Sequence, residues 1–109
     1  MPTETTPENR SLRSAAVTVP AHVVYRAFPS ETVVLNLNTG KYHGLNPTAG
    51  HMLEAMDGAR SLADAATVVA TEYGVDRDVV ERDMCGLCRR LLERGLVEAD
   101  VEIEGGGAE

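Results

Sequence analysis

Cys85-x-x-Cys88 is the pair in this 109-residue chain that most invites a chemical reading. The spacing suits thiol–disulfide exchange when it opens a helix, because the helix dipole then lowers the thiol pKa. Here the pair falls in the middle of a predicted helix, where that activation is missing. A tetrahedral metal site would need two further ligands, and His22, His43 and His51 stand singly, none at ligand spacing with another. The cysteines are therefore expected to be inert and half-buried, Cys88 on an apolar stripe and Cys85 at its border. His43 has no Ser, Cys or acid in a triad pattern with it, so it is expected to line a surface or groove and not to catalyse. His51 is expected to face solvent. The glycines are scattered, and none forms a phosphate-cradling loop after a strand. No catalytic residue, metal or cofactor is expected.

Composition narrows the classes further. The net charge of -7 argues against nucleic acid, whose readers neutralise phosphates with a basic surface. Arg77, Arg82, Arg89, Arg90 and Arg94 interleave with Asp78, Glu81, Asp83 and Glu93 at helical pair distances, which reads as a solvated face. No apolar run approaches the roughly 20 residues of a membrane span, and Met1–Asn9 lacks a signal-peptide pattern. Two cysteines three apart make no secreted disulfide framework. A single cytoplasmic domain is expected. Its core must come from Leu, Val, Ala and Met, since the chain has three Tyr, one Phe and no Trp.

The elements that would position a site can be read in order. Residues 1–16 are polar and are expected to form a disordered arm. The folded domain is expected over residues 17–98, with an acidic, Gly-rich tail at 99–109. A short strand is predicted from His22 to Ala27, since Pro20 forbids a longer one. Residues 31–45 read as a hairpin: Val33, Leu35 and Leu37 alternate with Val34, Asn36 and Asn38, and Asn38-Thr39-Gly40 is a turn signal. Gly44 within the second arm marks either a bulge or a close backbone approach.

Asn46-Pro47 starts a helix that carries Ala49, Met52, Leu53 and Met56 on one face and ends at Asp57-Gly58. Ser61 opens a second helix with a stripe from Leu62 to Tyr73, stopped by Gly74. Asp76 caps a third, running to about Arg94, with Val80, Met84, Leu87, Cys88 and Leu91 inward. Val79, Cys85 and Leu92 lie outside that row, which implies either a wide core contact or a groove. Gly86 weakens this helix by about 1 kcal/mol relative to Ala, or marks a close packing contact. The fold class expected is α+β and winged-helix-like: a three-stranded antiparallel sheet followed by three helices. No later segment looks able to pair with the outer edge of Lys41–Leu45. A vacant edge is a template for an added strand.

The segment Thr32-Val-Val-Leu-Asn-Leu-Asn-Thr-Gly-Lys-Tyr-His-Gly-Leu-Asn-Pro-Thr-Ala-Gly50 resembles the hairpin-to-helix region of PqqD-like proteins, the leader-recognition elements of ribosomal peptide-modification pathways. Asp57-Gly-Ala-Arg-Ser-Leu62, Glu72-Tyr-Gly-Val75, Glu81-Arg-Asp83 and Leu91-Leu-Glu-Arg-Gly-Leu-Val97 fit the same pattern, so the resemblance spans about residues 22–98. The wording is most similar to the free-standing members of lasso-peptide pathways. The resemblance implies a non-catalytic protein that takes a precursor's leader as an extra antiparallel strand on its third strand, packed against its third helix. It implies delivery to a cysteine-protease-like leader peptidase, with an ATP-dependent cyclase acting afterwards. Mapped here, the peptide-binding residues are Lys41, Tyr42, His43, Gly44 and Leu45, with Val79, Val80, Asp83, Met84 and Leu87 on the helix. The competing outline is a winged-helix DNA-binding regulator using the third helix in a major groove.

Overall fold

The structure is a computed structural model and describes residues 12–100. Its elements run β1 (Ala16–Thr18), β2 (Val23–Ala27), β3 (Thr32–Asn36), β4 (Tyr42–Leu45), α1 (Pro47–Met56), α2 (Leu62–Tyr73), α3 (Arg77–Glu93) and β5 (Glu98–Asp100). β2, β3 and β4 form an antiparallel sheet in that order, and the three helices follow it in the chain. This is the expected α+β arrangement.

The hairpin β3–β4 closes where the turn signal stood. Asn36 N–H donates to Lys41 O at 2.9 Å, Asn36 Oδ1 accepts from Asn38 N–H at 2.9 Å, and Gly40 takes a positive φ of 77°. The β3–β4 register continues without interruption from Leu35↔Tyr42 to Thr32↔Leu45. Gly44 is therefore not a bulge. A side chain there would meet the Glu31 carboxylate, the movable end of an exposed residue.

Thr32, Val34 and Asn36 are the buried face of β3, while Val33 and Leu35 point to the other side. The helices cover the buried face. Asn46 caps α1 by accepting from Ala49 N–H at 2.8 Å, and Ser61 caps α2 through Asp64 N–H at 3.0 Å. Asp76 caps α3 through Asp78 N–H at 2.8 Å. Met52, Leu53, Met56, Leu62, Val69, Met84, Leu87 and Leu91 fill the core between them. Gly50 lets α1 come down onto β3, because a Cβ there would collide with the Thr32 side chain. Gly86 makes no comparable contact: the nearest atom to an added Cβ is Arg90 Nη1 at 3.9 Å.

The structure adds a two-stranded ribbon that the sequence reading lacked. β1 pairs with β5 in antiparallel register, Ala16↔Asp100 to Thr18↔Glu98. Leu12, Ala15 and Val17 are buried with it, and Ala15 O accepts from Leu62 N–H at 2.9 Å. The ordered chain therefore starts before residue 17 and continues past residue 98, because small apolar side chains near Ala15 cover the helices. The rest of the expected arm and tail, residues 1–11 and 101–109, lies outside the described residues. Asp57, at the C-terminal cap of α1, ties these parts together. Its carboxylate accepts from Val19 N–H at 3.2 Å and from the Tyr25 hydroxyl at 2.9 Å.

Candidate functional site

An antiparallel ladder uses alternate residues of a strand for hydrogen bonding to one neighbour. The Asn36–Lys41 pair is hydrogen-bonded, so His43 and Leu45 also turn their N–H and C=O groups towards β3. Tyr42 and Gly44 must then present theirs on the opposite side. Among the described residues no strand pairs with β4 there, since β5 lies against β1. The edge offers two donors and two acceptors in the spacing of an antiparallel partner. The ladder's other border is partly closed: Val23 N–H donates to Pro20 O at 3.0 Å.

The side chains divide by face. His43 and Leu45 lie opposite Val34 and Thr32 and so share the helix side, where both are half-buried. Tyr42 and Gly44 lie opposite Leu35 and Val33 on the outer side, and Tyr42 is 72% exposed. Lys41 is exposed at the end of the turn. The expected strand residues are thus gathered on one free border.

The expected helix residues are not all offered to a ligand. Val79 and Asp83 are exposed on α3, but Val80, Met84 and Leu87 belong to the core, with Met84 fully buried. In the free protein these three side chains are packed inside the fold and do not line an open groove. The reason is the 3.6-residue repeat: these three share one stripe with Cys88 and Leu91, and the rest of the fold occupies it. The two flanks of the stripe differ. Arg13 reaches Glu81 at 3.9 Å on the side where Cys85 is buried, whereas Val79, Asp83 and Arg90 on the other side are exposed.

Sequence reasoning missed the outer face of the sheet. Val24 and Phe28 stand exposed there, Leu37 extends the set at the turn, and a shallow concavity of about 470 Å³ is lined by Val24, Tyr25, Arg26, Phe28, Val33 and Leu35. The signal was present in β3, where Val33, Val34 and Leu35 are consecutive, so both faces carry apolar side chains. His51 is at the surface with its side chain 40% exposed, but it is engaged there. It is half-buried, with Nε2 2.8 Å from Glu72 Oε1 and its ring edge-on to Tyr73 at 5.4 Å.

Titration follows burial. Desolvation pushes the Cys88 thiol up to about 11, with the neighbouring Cys85 adding to it, and burial raises Cys85 as well. Both cysteines are fully buried, more so than the sequence implied. Such thiols are poor nucleophiles at neutral pH. Among the described residues no group of three His, Cys, Asp or Glu side chains is placed to hold a metal ion. No helix among them is long and apolar enough to cross a membrane.

A family model for PqqD, described as coenzyme PQQ synthesis protein D, matches residues 31–97. The chain belongs to the PqqD family. Two solved structures share its fold. "TbiB1 in complex with the TbiA(beta) leader peptide" is 30% identical with a TM-score of 0.66, over 74% of this chain and 94% of that one. "Lasso peptide synthetase B1 complexed with the leader peptide" is 28% identical with a TM-score of 0.66, over 76% of this chain and 98% of that one. No curated sequence matches the chain significantly. The PqqD match begins at Glu31 and ends at Val97, so it takes in β3, the β4 border and all three helices and leaves out the β1–β5 ribbon.

Proposed function

We propose that this chain binds the leader segment of a ribosomal precursor peptide by β-strand addition to β4 and takes no catalytic part itself. The observation that carries the reading is the outward-facing backbone of Tyr42 and Gly44 on an unpaired border, in a fold whose solved relatives hold leader peptides. Backbone pairing along that border supplies affinity with little regard to sequence, and side-chain contacts on either face supply selectivity. A flexible leader loses conformational freedom on docking, so buried apolar anchors must outweigh that cost. Val79 and Asp83 of α3 are the helix residues available to meet it.

The likeness to lasso-peptide proteins supports a place in lasso-peptide biosynthesis, in the cytoplasm. The bound precursor is delivered to a cysteine-protease-like leader peptidase, and an ATP-dependent cyclase acts on the released core. The winged-helix DNA-binding alternative finds no comparable support. The exposed surface of α3 mixes Asp78, Asp83 and Glu93 with its arginines, and the whole chain carries a net charge of -7.

The test is fluorescence polarisation with a labelled lasso-precursor leader peptide. Binding is expected, with Tyr42→Asp weakening it by about tenfold or more, since an apolar contact of this kind is worth roughly 1.5–3 kcal/mol. Arg94→Ala is expected to leave affinity unchanged. Equal affinity of wild type and Tyr42→Asp would sink the proposed border.

A further inference from the structure

Gly44 is the one residue of β4 without a side chain, and the space this leaves is taken by a charge. A Cβ on Gly44 would stand 2.7 Å from Glu31 Oε1, so the Glu31 carboxylate lies over the β4 backbone. Strand alternation brings it there. Glu31 comes two residues before Val33, and Val33 lies opposite Gly44 on the outer face of the sheet. The Glu31 backbone is fixed by the turn at Pro29-Ser30: Phe28 N–H donates to Glu31 O at 2.7 Å, and Glu31 N–H donates to Phe28 O at 3.3 Å. From that point the side chain reaches across to β4.

The carboxylate has no partner there. Among the described residues the Glu31 side chain makes no ion pair and no hydrogen bond. Arg26 shares the outer face, opposite Val33, but holds its guanidinium 5.9 Å from the centre of the Phe28 ring. Lys41 lies beyond the other end of β4. A single exposed carboxylate is ordinary on an acidic chain; its position beside the outward N–H and C=O of Gly44 is not.

A strand added antiparallel to β4 starts at the Leu45 end and finishes at the Tyr42 end. Its residue opposite Gly44 forms a hydrogen-bonded pair and points its side chain to the same outer face. That side chain starts about 5 Å from the Cβ position of Gly44. Nothing on Gly44 blocks the way from there to the carboxylate. A lysine or arginine stem is long enough to lie across the gap and carry its cation to Glu31. An aspartate or glutamate at the same place would meet a like charge.

We infer that Glu31 is a specificity-determining residue of the β4 border, selecting a lysine or arginine at the peptide position paired with Gly44. The inference rests on the leader-binding reading above and adds one charge preference at one register to it. Backbone pairing by itself specifies register weakly where no side chain is tied to one place. An exposed ion pair contributes little affinity, so Glu31 acts by choosing among registers and peptides.

The test uses the full chain and peptides selected on it from a random-sequence display library. Border-dependent peptides are those weakened by Tyr42→Asp, a substitution at an exposed position. Each is remade with lysine, and separately with glutamate, at every position in turn and titrated at low salt. At one position lysine is expected to bind wild type about fivefold more tightly than glutamate, with the gap closing in Glu31→Gln and reversing in Glu31→Lys. The gap should narrow as salt is added, and both variants should melt like wild type because Glu31 is exposed. The peptide residue coupled to Tyr42, read from a double-mutant cycle with Tyr42→Ala, should lie two positions further towards the C-terminus. Border-dependent peptides with no position coupled to Glu31 would overturn the inference and leave the leader-binding reading standing. A Glu31-coupled position on the C-terminal side of the Tyr42-coupled one would overturn the pairing with Gly44. Failure to select any border-dependent peptide would overturn both.

Discussion

His43 and Gly44 are neighbours in β4 with opposite backbone duties. The N–H of His43 faces β3, and that of Gly44 faces outward. Proline removes an N–H and is tolerated in a strand only where that group points away from the ladder. Gly44→Pro is therefore expected to melt close to wild type, the displaced Glu31 carboxylate swinging aside, and to bind leader several-fold more weakly for want of one hydrogen bond worth about 1 kcal/mol. His43→Pro is expected to lower the melting temperature markedly by opening the hairpin. Parallel melting curves and leader titrations check both arms; identical behaviour of the two variants would mean that the border is not where the register puts it. The same alternation explains what was legible here. The residue identities of the border could be read from a run of strand-like letters after a turn, but which groups face outward depends on one hydrogen bond, Asn36 to Lys41, that no residue type announces.

At the scale of elements, two glycines in helices separate packing from propensity. Ala is about 1 kcal/mol better than Gly in a helix interior. At Gly86 an added methyl meets only the movable Arg90 guanidinium, at an ordinary contact distance of 3.9 Å, so Gly86→Ala should stabilise the free protein by about that amount. At Gly50 the methyl would stand 2.5 Å from the buried Thr32 Cβ, which cannot swing away. Overpacking costs roughly 1–3 kcal/mol against a propensity gain of about 1 kcal/mol, and with so close a contact Gly50→Ala should destabilise by up to about 2 kcal/mol. Chemical denaturation of both variants measures the two signs; two changes in the same direction would contradict the close α1–β3 contact.

The helices themselves were legible because their caps are local. Asn46, Ser61 and Asp76 sit where a short side chain can reach an N–H two or three residues on, and Gly74 sits where the backbone turns left-handed. The sheet's faces were less so. Val33, Val34 and Leu35 are alike to a periodicity argument, and only packing puts Val34 inside. The burial of Val80, Met84 and Leu87 was not legible for the converse reason: an apolar stripe says that something covers it, not whether that is the fold or a ligand. The β1–β5 ribbon escaped because three-residue strands carry almost no period and their pairing joins segments far apart in the sequence.

For the molecule as a whole, Tyr25 and Asp57 form the joint between sheet, ribbon and α1. Burial, and then the hydrogen bond and charge of Asp57, raise the Tyr25 pKa from 10.0 to about 12. A group whose folded pKa lies above its unfolded value favours the fold in its protonated form. That contribution is fully present below pH 10 and is lost as pH rises towards 12. Wild type is expected to lose stability across that window, and Tyr25→Phe to start less stable at pH 7 but to show a flatter alkaline limb. Denaturation at stepped pH reads the slope, and equal slopes would remove Tyr25 from the joint.

Since Ala16 and Asp100 are paired across the ribbon, about 5 Å apart, the stretch before β2 and the stretch after α3 leave the sheet and helices side by side. The vacant β4 border belongs to a different sheet. A host protein could therefore receive the domain as an insert at a single surface loop, so long as the insert keeps Leu12 and Ala15, which are buried in it.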